Sequence, residues 1–196
     1  MKEPNRKKAL SSHAKAEDKE KIEAYLDQMK LDDPVPVEEF SKVVRGLLGA
    51  RGLFLYFVWK VLKEKGLDAD GLVQEACYQW GVFNGKKMGD IKTPADFLKK
   101  MSSKAGTLAW EQEYTLLNDE RASKEFYHCP HIAAMKEAGP SDAELASLCK
   151  NMLCFGDYGT AAPHHVNLEW AEPTIGEGGK RCVMMLTPKK NEAKTF

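Results

Sequence analysis

The first half of the chain carries apolar side chains at the spacing that is typical of amphipathic helices. Over 38–65 they step mostly by three or four positions, which predicts one long helix ended by Gly66. Its segment 53–59 is apolar on all sides, so we expect it to be sandwiched between other elements or covered by a partner subunit. Glycines in a helix cost about 1 kcal/mol each relative to alanine, and here they indicate either a break or close approach by another backbone. They stand at positions Gly46, Gly49 and Gly52.

Two shorter helices are predicted after this one. The first spans about 70–83 and is followed by a turn over 85–89. The second has Thr93 as its N-cap and Pro94 at its first helical position, and should end near Gly106.

From residue 107 onward, apolar and polar positions alternate in short segments, which is typical of half-buried strands. The predicted strands cover 107–115, 122–128, 166–170 and 181–186, and a helix that opens on a capping box at Ser141 covers 141–153. We therefore predict an α+β fold, in which an N-terminal helical layer is followed by a β-β-α-β-β antiparallel sheet with a helical cover.

The chain divides into three regions by composition. Residues 1–36 are rich in both charge signs and poor in large apolar side chains, which predicts a charged arm and a marginal helix. Residues 37–187 should form a single α+β domain, with a helical part over 37–106 and a sheet part over 107–187. The last residues, 188–196, form a C-terminal tail.

The overall charge excludes some partners. There are 29 lysine and arginine residues against 29 aspartate and glutamate residues, so the formal net charge is zero. Nucleic-acid-binding domains usually carry a basic excess, so we expect no nucleic-acid partner.

The longest apolar run, 53–59, is far shorter than the roughly 18 residues that span a bilayer, and no signal-peptide pattern follows the basic N-terminus. We expect a cytoplasmic protein, without a membrane partner, whose five cysteines are reduced.

Thiols and imidazoles are concentrated in the last third of the chain. Cys129 stands where a predicted strand gives way to a helix, and the N-terminus of a helix favours the nucleophilic thiolate. The flanking His128 and His131 would act as acid or base near neutral pH. The alternative is that Cys129, like Cys77 and Cys182, is simply a small apolar core residue.

Cys149 and Cys154 are five residues apart, which is about 140° around an ideal helix, so a continuous helix would not place them on one face. If the helix ends near residue 153, Cys154 would lie in a loop with Asp157 and could point inward beside Cys149. Asp157 is either a turn residue or a carboxylate that activates water. We expect no cofactor. The alternative is zinc or another divalent metal held by Cys129, Cys149 and Cys154, although their spacing differs from that of zinc fingers.

Six short motifs occur in order between about residues 40 and 187. They are Leu48-Gly-Ala-Arg-Gly52, Trp80-Gly-Val-Phe-Asn-Gly85, His128-Cys129-Pro130, Leu148-Cys149, Cys154-x-x-Asp157 and Gly179-Lys-Arg-Cys182-Val. In this order and spacing they resemble the L-2-amino-thiazoline-4-carboxylic acid hydrolase family, which has many bacterial members. The resemblance implies hydrolysis of a small cyclic amidine: water adds at the ring carbon between nitrogen and sulfur, and the opened ring is an N-carbamoyl amino acid.

The implied reaction requires a nucleophile, an acid and a donor or cation for a substrate carboxylate. On this resemblance, Cys129 or Cys154 is the nucleophile, and Asp157 and His131 are the acid and base. The substrate-binding residues implied are His128, His164, Asn167 and Arg181, with His164 or Arg181 as the carboxylate clamp.

A second class of function also fits the pattern. A small antiparallel sheet with a helical cover and a late Gly-x-x-Cys strand resembles 4-vinyl-reductase-like domains, which predicts a non-catalytic sensor of a small molecule or of zinc. Sequence motifs for a Walker A loop, a dinucleotide-binding loop, a serine nucleophile elbow and a zincin are absent. Either class is compatible with a homodimer formed through segment 53–59.

Overall fold

The computed structural model describes residues 16–29, 34–171 and 173–189. Residues 1–15 and 30–33 of the arm and marginal helix expected over 1–36 lie outside them, as do residues 190–196 of the expected tail. Two compact units divide the chain, Met1–Phe40 and Ser41–Phe196. The first unit contains helix α1, Ala16–Met29, in the region where the sequence predicts a marginal helix.

The second unit contains the mixed helical and sheet structure. Its helices are α2 (Val37–Glu64, which begins just before the boundary between the units), α3 (Ala69–Lys87), α4 (Pro94–Lys100), α5 (Lys104–Trp110), α6 (Pro130–Glu137), α7 (Asp142–Leu148) and α8 (Cys154–Ala161). A π-helical segment, Cys149–Leu153, joins α7 to α8, and a 3-10 turn, Ile175–Glu177, precedes the last strand. The strands are β1 (Gln112–Leu117), β2 (Ala122–Phe126), β3 (Val166–Ala171) and β4 (Cys182–Pro188).

The strands form one antiparallel sheet in the order β1-β2-β4-β3, which confirms the predicted α+β class. Tyr114, Lys124, Met184 and Trp170 are direct register partners across the four strands. Since directly opposed residues point to the same face, this row presents a cation, a thioether and two aromatic rings side by side.

The long helix α2 confirms the prediction from apolar spacing, and its glycines cause no break. A Cβ atom on Gly52 would lie only 2.8 Å from the Cα of His131 in α6, and one on Gly49 would lie 3.0 Å from the Cβ of Ala134. These two glycines therefore allow α6 to approach α2 closely. Gly66 ends the helix region with a φ of +70°, a conformation that glycine adopts without strain.

Glycines also allow close contact between α3 and α8. A Cβ atom on Gly81 would collide with the carbonyl oxygen of Gly156, and one on Gly159 would collide with the carbonyl oxygen of Tyr78. The two backbones are therefore in direct contact, and α8 is held in a fixed position over α3.

The first predicted strand is wrong in its start. Residues 104–110 form helix α5 because the Ser103 hydroxyl accepts the N–H of Gly106 and so caps a new helix. Glu111, with a φ of 49°, ends that helix, and β1 begins only at the next residue. The predicted third helix is likewise shorter, because α4 has the expected Thr93 cap but ends at Lys100.

The helix predicted over 141–153 begins as expected, with reciprocal hydrogen bonds between Ser141 and Glu144. It does not end near residue 153. The chain continues through the π-helical segment into α8, so Cys154 lies at the start of a helix and not in a loop.

Segment 53–59 is only partly covered. Tyr56 and Trp59 are buried in the core, whereas Phe54 is 72% exposed and Phe57 is 50% exposed. The homodimer expected through this segment stays a prediction. No helix among the described residues has both the length and the apolar character needed to cross a membrane.

Candidate active site

A cavity of about 200 Å³ lies between the sheet and the helices. Two groups of core residues meet beside it, one from the helices α2, α3, α6 and α7 and one from α4 and the sheet. Its wall includes four thiols, two cations, one carboxylate and four large rings. These residues are Cys129, Cys149, Cys154, Cys182, Arg51, Lys124, Asp157, Trp80, Trp110, Phe126 and Trp170.

The π-helical segment brings Cys149 and Cys154 together. The Cys154 N–H donates to the Cys149 carbonyl, and this five-residue step stacks the second cysteine over the first. Both side chains are buried and line the cavity, and each thiol shifts the pKa of the other. The expectation that a continuous helix would separate them by about 140° is therefore wrong, because it assumed 3.6 residues per turn.

Cys149 is the cavity thiol that ionises most readily. The neighbouring Cys154 thiol is the largest cause that lowers its pKa, against the opposing effect of burial. The Thr174 hydroxyl and the Gly176 N–H lower it further. Cys154, which keeps the shared proton, has its pKa raised for the same reason.

Two neighbours fix the position of the Cys149 sulfur. A Cβ atom on Gly176 would lie 2.7 Å from it, so only glycine lets the 3-10 turn approach this closely. The Thr174 hydroxyl oxygen lies 3.4 Å from the same sulfur and 2.9 Å from the Glu177 carboxylate. Because a hydroxyl has one proton, Thr174 can donate to the sulfur or to the carboxylate, but not to both.

Cys129 occupies the N-cap of α6, as predicted, and Pro130 is at the first helical position. The side chain makes no capping hydrogen bond, although the nearby backbone N–H groups of Ile132 and His131 act to lower its pKa, as expected at a helix N-terminus. Burial outweighs them and raises the pKa of Cys129 to about 12. The prediction that this position favours a thiolate is therefore wrong, because the desolvation of a buried thiol exceeds the stabilisation by two N–H donors.

Lys124 is buried in the sheet face that forms one wall of the cavity. It is 1% exposed, and its ammonium group donates to Ser102 Oγ at 3.3 Å and to Gln112 Oε1 at 3.2 Å. Its Nζ also lies 5.0 Å from the centre of the Phe126 ring. Burial lowers the pKa of Lys124 to about 8, and the charge of Asp157 opposes this effect.

Asp157 is the carboxylate of the cavity and lies in the first turn of α8. Burial raises its pKa to about 6, while the charges of Lys124 and Arg51 act in the opposite direction. A carboxyl group with this pKa can both donate and accept a proton near neutral pH.

His131 also lines the cavity, but it holds Arg51 in place and is not free to act as a base. The guanidinium Nε donates to His131 Nε2 at 3.1 Å, so this nitrogen is an acceptor and the ring is neutral. Burial and then the charge of Arg51 lower the pKa of His131 to about 3. The guanidinium also lies 4.5 Å from the centre of the Trp80 ring, so Arg51 is fixed on two sides.

Trp170 contributes an unusual donor. Its indole N–H is buried and has no hydrogen-bond acceptor among the described residues. Its ring lies 5.3 Å from that of Phe126 and lines the cavity. An unsatisfied buried N–H is costly, and a bound molecule with an acceptor oxygen or nitrogen would satisfy it.

Of the residues predicted from the sequence, Cys129, Cys154, Asp157 and His131 lie together on the cavity. The four predicted substrate-binding residues do not. His164 is buried against the Gly85 carbonyl and the Phe97 ring. Arg181 is exposed and forms an ion pair with Glu125 at 3.2 Å. Asn167 points to solvent from β3, and His128 lies in a separate groove with Arg45.

The expected absence of a cofactor is not tested by the structure. Among the residues that the structure describes, no group of three or more histidine, cysteine, aspartate or glutamate side chains could hold a metal ion. The alternative zinc set of Cys129, Cys149 and Cys154 is therefore not assembled as a ligand cluster.

Sequence reasoning did not find Lys124, Trp170 and Arg51 as site residues. The signal for Lys124 was its position on the apolar parity of its strand, between Ala122 and Phe126, where an inward-facing cation requires an explanation. Trp170 shares the parity of the buried residues of β3 and could have been found in the same way.

Comparisons with known proteins give no identification. No family model, no curated protein and no solved structure matches this chain.

Proposed function

We propose that the cavity hydrolyses a small cyclic amidine of the thiazoline type and that Cys149 is the nucleophile. The observation on which this depends is the position of the Cys149 thiol, which lines a cavity of small-molecule size and lies 3.4 Å from the Thr174 hydroxyl oxygen. The neighbouring Cys154 thiol also lowers the pKa of Cys149. A thiolate is the reactive form of cysteine, so a lowered pKa raises the fraction of Cys149 that is a nucleophile at neutral pH.

The charges of the cavity favour a substrate that bears a carboxylate. Arg51 and Lys124 are two cations against the single carboxylate of Asp157, and His131 is neutral. A substrate carboxylate would balance the excess positive charge in a poorly solvated site. The buried N–H of Trp170 supplies a further donor, and the rings of Trp110, Phe126 and Trp170 provide an apolar wall for a flat heterocycle.

The reaction proceeds in two steps. In the first, the Cys149 thiolate forms a bond to the ring carbon between nitrogen and sulfur, and the bond from that carbon to the ring sulfur breaks. Asp157, protonated below its raised pKa, gives its proton to the departing sulfur, which leaves as a thiol.

In the second step, water adds to the same carbon, the Asp157 carboxylate takes one of its protons, and the other proton passes to the former ring nitrogen. The bond to Cys149 breaks, which regenerates the thiolate and leaves a urea carbonyl on the former ring nitrogen. One ring and one water thus become one N-carbamoyl amino acid that carries a free thiol, in agreement with the reaction implied by the sequence motifs.

The test is a substrate screen with three cysteine variants. Purified protein is incubated with 2-amino-thiazoline-4-carboxylate, other cyclic amidines and hydantoins, and loss of ring absorbance and release of thiol are recorded. Cys149→Ser should lower kcat by at least about 1,000-fold, because it removes the nucleophile. Cys129→Ser should change kcat by less than about tenfold, because a thiol with a pKa of about 12 is protonated at neutral pH.

Cys154→Ser provides a finer test. This substitution removes the thiol that contributes most to lowering the pKa of Cys149, so the pH midpoint of kcat should rise while activity at higher pH is retained. Full turnover by Cys149→Ser would disprove the proposed nucleophile. Saturable binding of a heterocycle without ring opening would favour the sensor alternative instead.

A further inference from the structure

A pair of thiols in the cavity points to chemistry that hydrolysis does not require. Cys149 directly follows α7, and Cys154 is the first residue of α8. A π-helical hydrogen bond joins their backbones and places the two residues one turn apart on the same side of the helix. Each is less than a tenth exposed, and both line the cavity. Nothing in the hydrolysis of an amidine needs a second thiol beside the nucleophile, since any hydroxyl or N–H group could serve as the donor.

The π-helical turn brings the two cysteines into the range in which a disulfide bond can form. In an ideal α-helix, residues five apart have Cα atoms roughly 8–9 Å apart, which is too far for a disulfide. The five-residue hydrogen bond from the Cys154 N–H to the Cys149 carbonyl shortens that step, since a π-helical turn contains more residues than an α-helical one. Both side chains line the same cavity, and each thiol shifts the pKa of the other.

We propose that Cys149 and Cys154 are a redox-active dithiol, which hydrogen peroxide oxidises to an intramolecular disulfide and which a dithiol reductant restores. This inference is independent of the proposed hydrolysis, since it requires the two thiols and no substrate. It assigns a modification site to a cavity that is lined by four of the five cysteines.

The oxidation has two balanced steps. The Cys149 thiolate attacks one oxygen of hydrogen peroxide, a sulfur–oxygen bond forms, the oxygen–oxygen bond breaks, and the leaving hydroxide takes up a proton to become water. The Cys154 sulfur then attacks the Cys149 sulfur, and hydroxide leaves with the Cys154 proton as a second water. Two thiols lose two electrons and two protons, and one peroxide is reduced to two waters.

The sequence makes the product easy to identify. Lys150 separates the two cysteines, so trypsin places Cys149 in the peptide 137–150 and Cys154 in the peptide 151–180. The other two cavity cysteines fall in the peptides 125–136 and 182–189. A disulfide between any two of the four therefore gives a distinct cross-linked pair by mass spectrometry.

The experiment treats the full chain with about one equivalent of hydrogen peroxide, blocks the remaining thiols with N-ethylmaleimide and digests it without reductant. The expected result is a cross-link between 137–150 and 151–180, a loss of two alkylated cysteines, and recovery of both after dithiothreitol. Cys77→Ser, which alters a cysteine outside the cavity, should form the same cross-link to the same extent.

Two variants separate the steps. Cys154→Ser should stop at the sulfenic acid, so dimedone should label Cys149 in this variant and only weakly in the wild-type chain. Cys149→Ser should form neither product. The proposal is overturned if wild-type Cys149 is oxidised to the sulfinic acid without a cross-link, if the cross-link joins Cys129 or Cys182, or if the thiols do not react. Each readout is a mass and not an activity, so the outcome is distinct from that of the hydrolysis test.

Discussion

Cys129 and Cys149 are buried beside the same cavity, yet the pKa of Cys129 is raised to about 12 whereas that of Cys149 is lowered. Backbone N–H groups act to lower the pKa of both thiols. The difference is that Cys149 also has two side-chain donors, first the Cys154 thiol and then the Thr174 hydroxyl. At the scale of single residues, a side-chain donor therefore decides which buried thiol is available for chemistry.

At Asp157, burial raises the pKa while two neighbouring positive charges lower it. The resulting shift predicts that the stability of the protein depends on pH. The pKa of Asp157 rises from 3.8 to about 6 on folding, so the folded state holds the proton up to a higher pH than the unfolded chain does. The free energy of unfolding should therefore fall as the pH rises between these two values, by up to about 3 kcal/mol. Asp157→Asn removes this loss.

The measurement is urea unfolding of the wild-type chain and of Asp157→Asn at a series of pH values between about 3.5 and about 7. Relative to the wild-type chain, Asp157→Asn should gain stability as the pH rises from about 3.5 to about 7. A difference between the two proteins that stays constant over this range would contradict the raised pKa. The same variant should also lose the hydrolytic activity proposed for the cavity, because Asn cannot donate or accept the proton.

Four of the cavity residues could be predicted as site candidates because they are reactive types that cluster along the sequence. Lys124 and Trp170 could not be found in this way, since one resembles a surface residue and the other a core residue when each is considered alone. The alternation along each strand indicates that both side chains point inward. That they meet on one wall of the cavity depends on pairing with β4, a contact between segments that are distant in the sequence.

At the scale of elements, the direct contact of α3 with α8 positions Asp157 and the cysteine pair. Replacement of Gly81 by alanine should be strongly destabilising, because the added Cβ would collide with the Gly156 carbonyl oxygen. A backbone atom within a packed helix can move away only at a large cost in free energy. We expect a loss of about 1–3 kcal/mol in the free energy of unfolding, measured with urea.

The matched control lies in the same contact. In Gly156→Ala the added Cβ would lie 3.5 Å from the Trp80 ring and 3.7 Å from the Cys77 carbonyl oxygen, which are ordinary van der Waals distances. This variant should be neutral or more stable by up to about 1 kcal/mol, since alanine is the better helix former. Equal destabilisation by both substitutions would show that the close contact is not the cause.

The elements that could be predicted from the sequence are those whose signals are local. Helix α2 follows from apolar spacing, and the starts of α4 and α7 follow from their capping residues. The π-helical segment could not be predicted, because the spacing rule assumes a constant 3.6 residues per turn and its five residues carry no distinctive pattern. Helix α5 was missed because seven residues are too few to distinguish helical from alternating spacing.

At the scale of the whole molecule, the neutral total charge conceals a local imbalance. The chain has equal numbers of acidic and basic residues, but the cavity holds Arg51 and Lys124 against Asp157 alone. A buried cation without a full counter-charge costs stability, so its presence is best explained by a ligand that it binds. Removal of the Lys124 charge should therefore raise or preserve the stability of the protein and weaken the binding of a ligand.

Lys124→Met tests this opposition. The pKa of Lys124 falls from 10.5 to about 8 on folding. Its buried charge therefore lowers the free energy of unfolding by about 3 kcal/mol relative to a lysine that stays in solvent. That loss is complete below about pH 8 and disappears as the pH rises through 10.5, because the unfolded chain then also releases the proton. Methionine fills the same volume without a charge, although the hydrogen bonds to Ser102 and Gln112 are lost.

The free energy of unfolding of Lys124→Met at pH 7 should therefore equal or exceed that of the wild-type chain, whereas the rise in Tm caused by a thiazoline carboxylate should disappear. A ligand that binds only the folded state stabilises it by RT ln(1 + [L]/Kd), so the Tm shift at a fixed ligand concentration reports binding. Lys124→Ala is the control for volume: it also removes the charge but leaves a void, and it should be less stable than Lys124→Met by about 1–3 kcal/mol. An unchanged ligand-induced Tm shift in Lys124→Met would show that the carboxylate is held elsewhere, with Arg51 as the remaining cation of the cavity.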